Sequence, residues 1–352
     1  MTPSISPEIL EERVLKAIAA VTVGEGGPDV LSAGLVHEVV ATGGAVRVLM
    51  NTDRVGGEDA ESLAEVLTDL VRAVPGVIRV VVKPRPRRLA EGGLPGVDRV
   101  IGVHSGKGGV GKSTLTANLA VALAERGLRV GLLDADVYGP SAPTLLGVSG
   151  RAETTDDGKR IAPREAFGIK VMSLGFLLPA EKALIWRGSL VDEGLPQLMT
   201  EVDWGPLDLL LVDLPPGTSD VHLAVARHAG LSGVIAVTQP GQTSVQDVRR
   251  GLEMFADIAV PCLGIVENMA GLVCRRCGAA HALFGTGGGR TLAEETGLPL
   301  LARIPFLPDV VGVSDTGNPA ILALPDSPMA EAVRTLAEFL AGSAKSSREI
   351  RA

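Results

Sequence analysis

Residues 99–114 read RVIGVHSGKGGVGKST, and this stretch decides the architecture. An apolar, β-branched run ends at Ser105. The loop Gly106-Lys107-Gly108-Gly109-Val110-Gly111 follows, and Lys112-Ser113-Thr114 opens the helix-forming segment LTANLAVALAERG. Strand, glycine-rich loop and helix in that order make a Walker A phosphate-binding loop. The glycines let the backbone turn tightly and aim successive N–H groups inward, forming an anion nest at a helix N-terminus. Lys112 then reaches the β- and γ-phosphates of ATP, and the Ser113 hydroxyl is a ligand for Mg²⁺.

Downstream, six more apolar runs alternate with helical stretches: LRVGLLD, IKVMSLG, LDLLLVD, GVIAVTQ, PCLGIVEN and LLARIP. Continuous apolar strands separated by helices predict an α/β fold, a mostly parallel, doubly wound sheet covered on both faces, over residues 98–342. Ligands of such sheets bind beyond the carboxyl ends of the strands, and the acidic motifs fall there. Asp134-Ala135-Asp136 closes LRVGLLD, and Asp213 closes LDLLLVD, a Walker B pattern that delivers one carboxylate to the Mg²⁺ shell. The segment Leu214-Pro215-Pro216-Gly217-Thr218-Ser219-Asp220 is stiff except at one hinge and is predicted to switch between two positions. A tight turn is the plainer alternative there, as an N-cap role is for Asp134 or Asp136.

Residues 1–83 read as a separate α+β unit, with a helix carrying Leu10, Val14, Ile18 and Val21. Strands GLVHEVVA and AVRVLMN meet at Thr42-Gly43-Gly44, a second helix covers about 59–74, and VIRVVVK forms a third strand. The stretch PRPRRLAEGGLPGV (84–97) is read as linker, and residues 343–352 as a frayed polar tail. The chain of 352 residues has a formal net charge of -8, which gives no uniform positive field. Broad binding to nucleic acid or an anionic membrane is therefore not expected. No apolar run has the length of a membrane span and the start shows no signal-peptide pattern, so the expected location is cytoplasmic.

Three cysteines in a chain of this size do not make a disulfide framework. Cys274-Arg275-Arg276-Cys277 offers two thiolates from one loop, whereas structural zinc and [4Fe-4S] clusters take four ligands. A two-fold homodimer supplies each cysteine twice and completes the set on its axis. Zinc held the same way, a redox disulfide and unligated thiols are the alternatives. A [2Fe-2S] centre takes four thiolates as well. His281 reads as a surface histidine or a ligand, and Cys262 as core.

Lys107, a second lysine at the start of the loop, resembles the signature of the deviant Walker class, the relatives of MinD, ParA and the nitrogenase iron protein. In that class the resemblance implies that Lys107 crosses a subunit interface to the partner's phosphates, that Asp136 orients the attacking water, and that Asp134 lies nearer the metal. The stretches SGKGGVGKST, DADVYGPSAP, IWRG, VDWGPLDLLLVDLPPGTSD, VTQP, ENM, CRRCG and IPFLPDV together resemble the Mrp/ApbC family of iron-sulfur cluster carriers. That resemblance implies a slow ATPase with Lys107, Lys112 and Asp136 as catalytic residues, a homodimer, and a bridging [4Fe-4S] cluster on Cys274 and Cys277. It also implies cluster donors and recipient apo iron-sulfur proteins as partners, and Asn268 bound to adenine. The N-terminal unit is similar to the small domain of iron-sulfur assembly proteins. It departs from that pattern, reading GEGGPD and GGEDA where relatives commonly carry Asp-Pro-Glu and Gly-Cys-Pro, so docking is its expected role. The rival readings are a ParA- or MinD-like positioning ATPase, which needs neither cysteine, and a zinc-bridged regulatory dimer.

Overall fold

A computed structural model describes residues 6–23, 27–42, 44–51, 57–84, 93–136, 139–176, 195, 198–274 and 276–349. Two compact units divide the chain, Met1–Arg87 and Arg88–Ala352. Among the described residues no helix is long and apolar enough to cross a membrane.

In the first unit, α1 (Pro7–Ile18) begins where Ser6 accepts the Ile9 N–H at 3.4 Å, with Pro7 in the first turn. Proline is tolerated there because that position has no intrahelical acceptor for an N–H. Leu10, Val14 and Ile18 recur every four residues, and all three are buried, whereas Val21, expected on the same helix, lies past its end and accepts the Val30 N–H. Strands β1 (Val36–Thr42) and β2 (Ala45–Met50) form the predicted antiparallel hairpin, with Gly44 at a φ of +85°. Helix α2 (Gly57–Arg72) leads across to β3 (Arg79–Pro84), which pairs parallel to β2. Val46, Val48 and Met50 take the alternate positions of β2 and pack with Leu10, Val14 and Leu67, the one-sided burial of a sheet covered by helices.

The second unit contains β4 (Val100–Ser105), β5 (Val130–Asp134), β6 (Glu153–Thr154), β7 (Ile161–Ala162), β8 (Arg164–Ala166), β9 (Ile169–Ser173), β10 (Leu209–Asp213), β11 (Gly233–Thr238), β12 (Cys262–Asn268), β13 (Leu272–Val273), β14 (Ala280–His281) and β15 (Leu300–Ile304). Its helices are α3 (Lys112–Glu125), α4 (Ala142–Leu145), α5 (Asp220–Ala229), α6 (Gln242–Asp257), α7 (Gly288–Thr296), α8 (Pro308–Asp315), α9 (Ala320–Ala323) and α10 (Pro328–Glu349). The main sheet runs β15-β12-β11-β4-β10-β5-β9-β8. The seven apolar runs of the sequence are its seven parallel strands, and β8 adds an antiparallel edge.

Every residue of β4, β5, β10 and β11 is buried, the result of helices on both faces. Ile235 and Val237 pack in the cluster that holds Leu119 and Leu123 of α3. Ala236, between them, packs with Val245 and Val248 of α6 and Leu292 of α7. The predicted linker is shorter at its end, because Leu94 is buried in the core and Gly96 accepts the Leu207 N–H. The predicted tail is also corrected, since α10 continues to Glu349.

Candidate functional site

The phosphate loop leaves β4 and enters α3 at Lys112, with Gly109 and Gly111 at φ of +78° and +83°. That left-handed backbone favours glycine. Gly106 is needed for a different reason, because a Cβ there would lie 2.5 Å from the backbone of Asp247 and Val248 on α6. Ser105 Oγ donates to the Lys107 carbonyl at 2.9 Å and ties the base of the loop.

Lys112 is buried, and its Nζ lies 2.8 Å from Asp213 Oδ1, which also accepts from Thr116 Oγ1 at 3.0 Å. Asp213 Oδ2 is buried with no hydrogen-bond partner among the described residues. A buried carboxylate oxygen left unpaired is costly. Beside Ser113 and a phosphate loop it fits the hydration shell of a Mg²⁺ ion. The Walker A lysine, the Ser113 hydroxyl 3.2 Å from its Nζ and the Walker B aspartate are thus brought together as the sequence predicts.

Asp134 stands opposite Asp213 in the β5–β10 register. Its Oδ2 accepts from Ser141 N (2.9 Å), Ala142 N (3.0 Å) and Ser173 Oγ (3.3 Å), and its Oδ1 from Asp136 N (3.2 Å). The carboxyl is therefore committed to anchoring the 136–142 loop, the N-cap-like alternative to the metal-side position that resemblance implies. Burial, and next the charge of Asp213, push it up to about 7. Asp136 is half-buried, with Gly139 N–H on its Oδ1 at 3.3 Å. Val137 and Tyr138 of this switch, and the IWRG stretch, lie outside the described residues.

Lys107 is half-exposed and pairs with Asp247 Oδ2 at 3.4 Å, and Arg250 reaches Oδ1 of the same carboxylate at 3.2 Å. Sequence reading missed Asp247. It lies 140 residues from Lys107 and belongs to no phosphate-site motif.

Asn268 ends β12 and lines a cleft with Thr114, Met269, Ile304, Phe306 and Ser314. Its Nδ2 donates to the Val110 carbonyl at 2.7 Å, which fixes the amide so that Oδ1 is left to accept. An acceptor there suits the exocyclic amino group of adenine rather than the oxo group of guanine. The IPFLPDV segment supplies the facing wall of the cleft.

Beyond Asn268 the chain makes a short antiparallel hairpin, β13 with β14, that carries both cysteines. Cys274 N donates to Ala279 O at 2.9 Å and Gly278 N to Cys274 O at 2.8 Å, so the turn is closed by its own backbone. The Cys274 thiol is held below the ordinary thiol value by hydrogen bonds from the Cys277 and Arg276 backbone N–H groups and from the Cys277 side chain. A thiolate is the ligating form of cysteine, and these hydrogen bonds favour that form at Cys274. Cys277 is exposed. His281 is exposed opposite Leu272, and among the described residues no three His, Cys, Asp or Glu side chains are grouped to hold a metal ion. Cys262 packs against the core as expected, its thiol pushed up to about 11 by burial.

Two buried histidines lie beneath the switch after Asp213. His222 accepts the Ser219 N–H at 3.1 Å and completes a capping box on α5, and its ring meets His104 of β4 edge-on with centroids 5.3 Å apart. Burial lowers His104 to about 3 and His222 to about 4. Both stay neutral in the folded chain while an unfolded histidine takes a proton below about pH 6.5. Stability should therefore fall as pH drops from 6.5 toward 4, by about 2 kcal/mol per histidine at pH 5. Urea unfolding at pH 7 and pH 5 checks this, and His222→Gln should remove roughly half of that loss.

A family described as NUBPL iron-transfer P-loop NTPase matches residues 96–341, and one described as iron-sulfur cluster assembly protein matches residues 11–82. An iron-sulfur cluster carrier protein of Deinococcus radiodurans is 38% identical over 335 residues, covering 95% of each chain. One of Aquifex aeolicus is 45% identical over 248 residues, 70% of this chain and 68% of that protein. Among solved structures, a nucleotide-binding protein from Archaeoglobus fulgidus in complex with ADP superposes with a TM-score of 0.56 at 40% identity, over 63% of this chain and 87% of that one. The septum site-determining protein MinD of Pyrococcus horikoshii, complexed with Mg-ADP, gives 0.53 at 26% identity, over 70% and 98%. With the phosphate loop and both acidic strand ends on one sheet and the cysteine hairpin beyond it, these matches show that the chain belongs to the iron-transfer P-loop NTPase family, with an iron-sulfur assembly-type domain ahead of it.

Proposed function

We propose that this protein carries an iron-sulfur cluster between two copies of its chain, delivers it to recipient apoproteins, and uses ATP binding and slow hydrolysis to govern how the copies meet. The observation that carries the reading is the cysteine hairpin. Cys274 and Cys277 sit on a surface turn with backbone N–H groups on one sulfur, and one chain offers two thiolates where a cluster takes four. Val273, Leu283 and Phe284 are exposed beside them, an apolar rim suited to a second copy.

Each nucleotide-site residue has a part. The loop amides and Lys112 bind phosphate, Ser113 and Asp213 hold Mg²⁺, which supplies charge neutralisation when bound, and Asn268 accepts from the adenine amino group. Asp136 orients the attacking water. Lys107 exchanges Asp247 for the γ-phosphate bound to the partner copy, which makes closure depend on ATP. Relatives named as cluster carriers support the cargo, and the Mg-ADP complex of a protein of the same fold supports the nucleotide.

The test is anaerobic reconstitution of the full chain with iron and sulfide. Wild type should gain a visible charge-transfer absorption with one cluster per two chains, and Cys274→Ala should lose it. A spectrum that is the same in both proteins would remove the carrier reading. Binding of zinc alone, with no iron spectrum, would favour a zinc-bridged dimer.

A further inference from the structure

We infer that the Ile304–Leu307 wall of the nucleotide cleft transmits occupancy to the cysteine hairpin inside a single subunit, with Phe284 as a positioning residue. The inference rests on the proposed reading that nucleotide occupies this cleft.

The hairpin is rooted on that wall at both ends. On its entry side, Asn268 and Ile304 are register partners in the β12–β15 pair. Ala270 N then donates to Ile304 O at 2.9 Å, and Phe306 N donates to Gly271 O at 2.7 Å. Pairing of the two segments thus continues past the sheet, up to the residue before β13. On its exit side, the Phe284 ring meets the Phe306 ring edge-on, with centroids 6.3 Å apart. Ile304, Phe306 and Leu307 all line the cleft, and the first two of them are the residues to which the hairpin is attached.

Between the cleft and the hairpin stands a hinge. Met269 lines the cleft and has a φ of +56°, a left-handed backbone uncommon for a side chain of that size. Gln239 Nε2 lies 2.9 Å from its sulfur and 3.4 Å from the Gly109 carbonyl of the phosphate loop. A residue held in that region stores strain that a ligand's contacts can bias toward one arrangement. A base seated against Phe306 and Met269 presses on the wall and on the hinge together, and the hairpin follows through two backbone hydrogen bonds and one ring contact. Coupling of this kind needs no second subunit, which separates it from the closure assigned to Lys107.

The test uses the full, reduced, cluster-free chain and ADP with Mg²⁺, since ADP lacks the γ-phosphate that Lys107 would seek in a partner. Hydrogen exchange across 270–285 and the alkylation rates of Cys274 and Cys277 are measured with and without ADP, alongside the ADP dissociation constant. In wild type, saturating ADP should slow both by about fivefold, the lower range of ordinary coupling. Phe284→Ala should bind ADP as tightly as wild type yet lose most of that protection, and Phe284→Tyr, which keeps the ring, should retain it. Phe284 is 37% exposed, so its truncation leaves the core intact. If wild type binds ADP with no change in the hairpin, or if Phe284→Ala keeps full protection, the inference is overturned while the carrier reading stands. If ADP does not bind at all, the nucleotide reading fails with it.

Discussion

Lys112→Ala is expected to abolish nucleotide binding and also to lower folding stability by about 3–5 kcal/mol, the cost of stranding one partner of a buried ion pair. Most phosphate-binding lysines on a solvent-facing loop would carry only the first effect. Here Lys112 Nζ stands 2.8 Å from Asp213 Oδ1, with side chains 6% and 2% exposed. Without the ammonium, Asp213 keeps only the Thr116 hydroxyl on that oxygen. Asp134, its neighbour across the strands, already has its carboxyl pushed up by burial and by the same charge. The double variant Lys112→Ala/Asp213→Asn should recover much of the stability and none of the binding, and thermal unfolding with nucleotide titration reads both. A single variant as stable as wild type would contradict the buried pair.

Asp136→Asn should have the opposite signature, with ATP affinity within about threefold of wild type and turnover reduced by about 10²–10⁴-fold, the usual share of a positioned general base. Its carboxylate lies two residues past the anchored Asp134, and among the described residues only the Gly139 N–H donates to it. A water can therefore be held without breaking a structural network. Loss of binding and turnover together would assign Asp136 to the loop's architecture instead. Single-turnover kinetics with directly measured ATP affinity separates the two outcomes.

The sequence shows the seven parallel strands because each is a run of β-branched or Leu residues buried on both faces, and such runs need no partner to be seen. Strand β8, Arg164–Ala166, escapes because three residues with two charges have no period, and the antiparallel hairpin that makes them a strand turns at Phe167 and Gly168. The tail residues 343–349 are polar, which reads as frayed. Yet Ala, Lys, Arg and Glu are good helix formers, and the packed turns of α10 before them supply the nucleus.

At the site, motifs identify the groups that touch phosphate, because glycine, lysine and aspartate at fixed spacing have a local mechanical reason. What holds those groups is not local. Asp247 against Lys107, and the α6 backbone against Gly106, depend on how α6 packs beside the loop. The His104 and His222 rings are 118 positions apart and meet only because α5 lies against β4. The resemblance places the Asp134 carboxyl near the metal, and what the sequence does not show is that three hydrogen bonds tie it to its own loop and a fourth to Ser173 of β9.

Asp134 and Asp213 face each other in register, and the next amide along, Ala135 N, donates to the Asp213 carbonyl at 2.9 Å. The two acidic loops therefore depart from the same rung of the ladder. A displacement at the foot of either loop would stretch or tilt that single bond, so the strand ends give the two loops a shared footing.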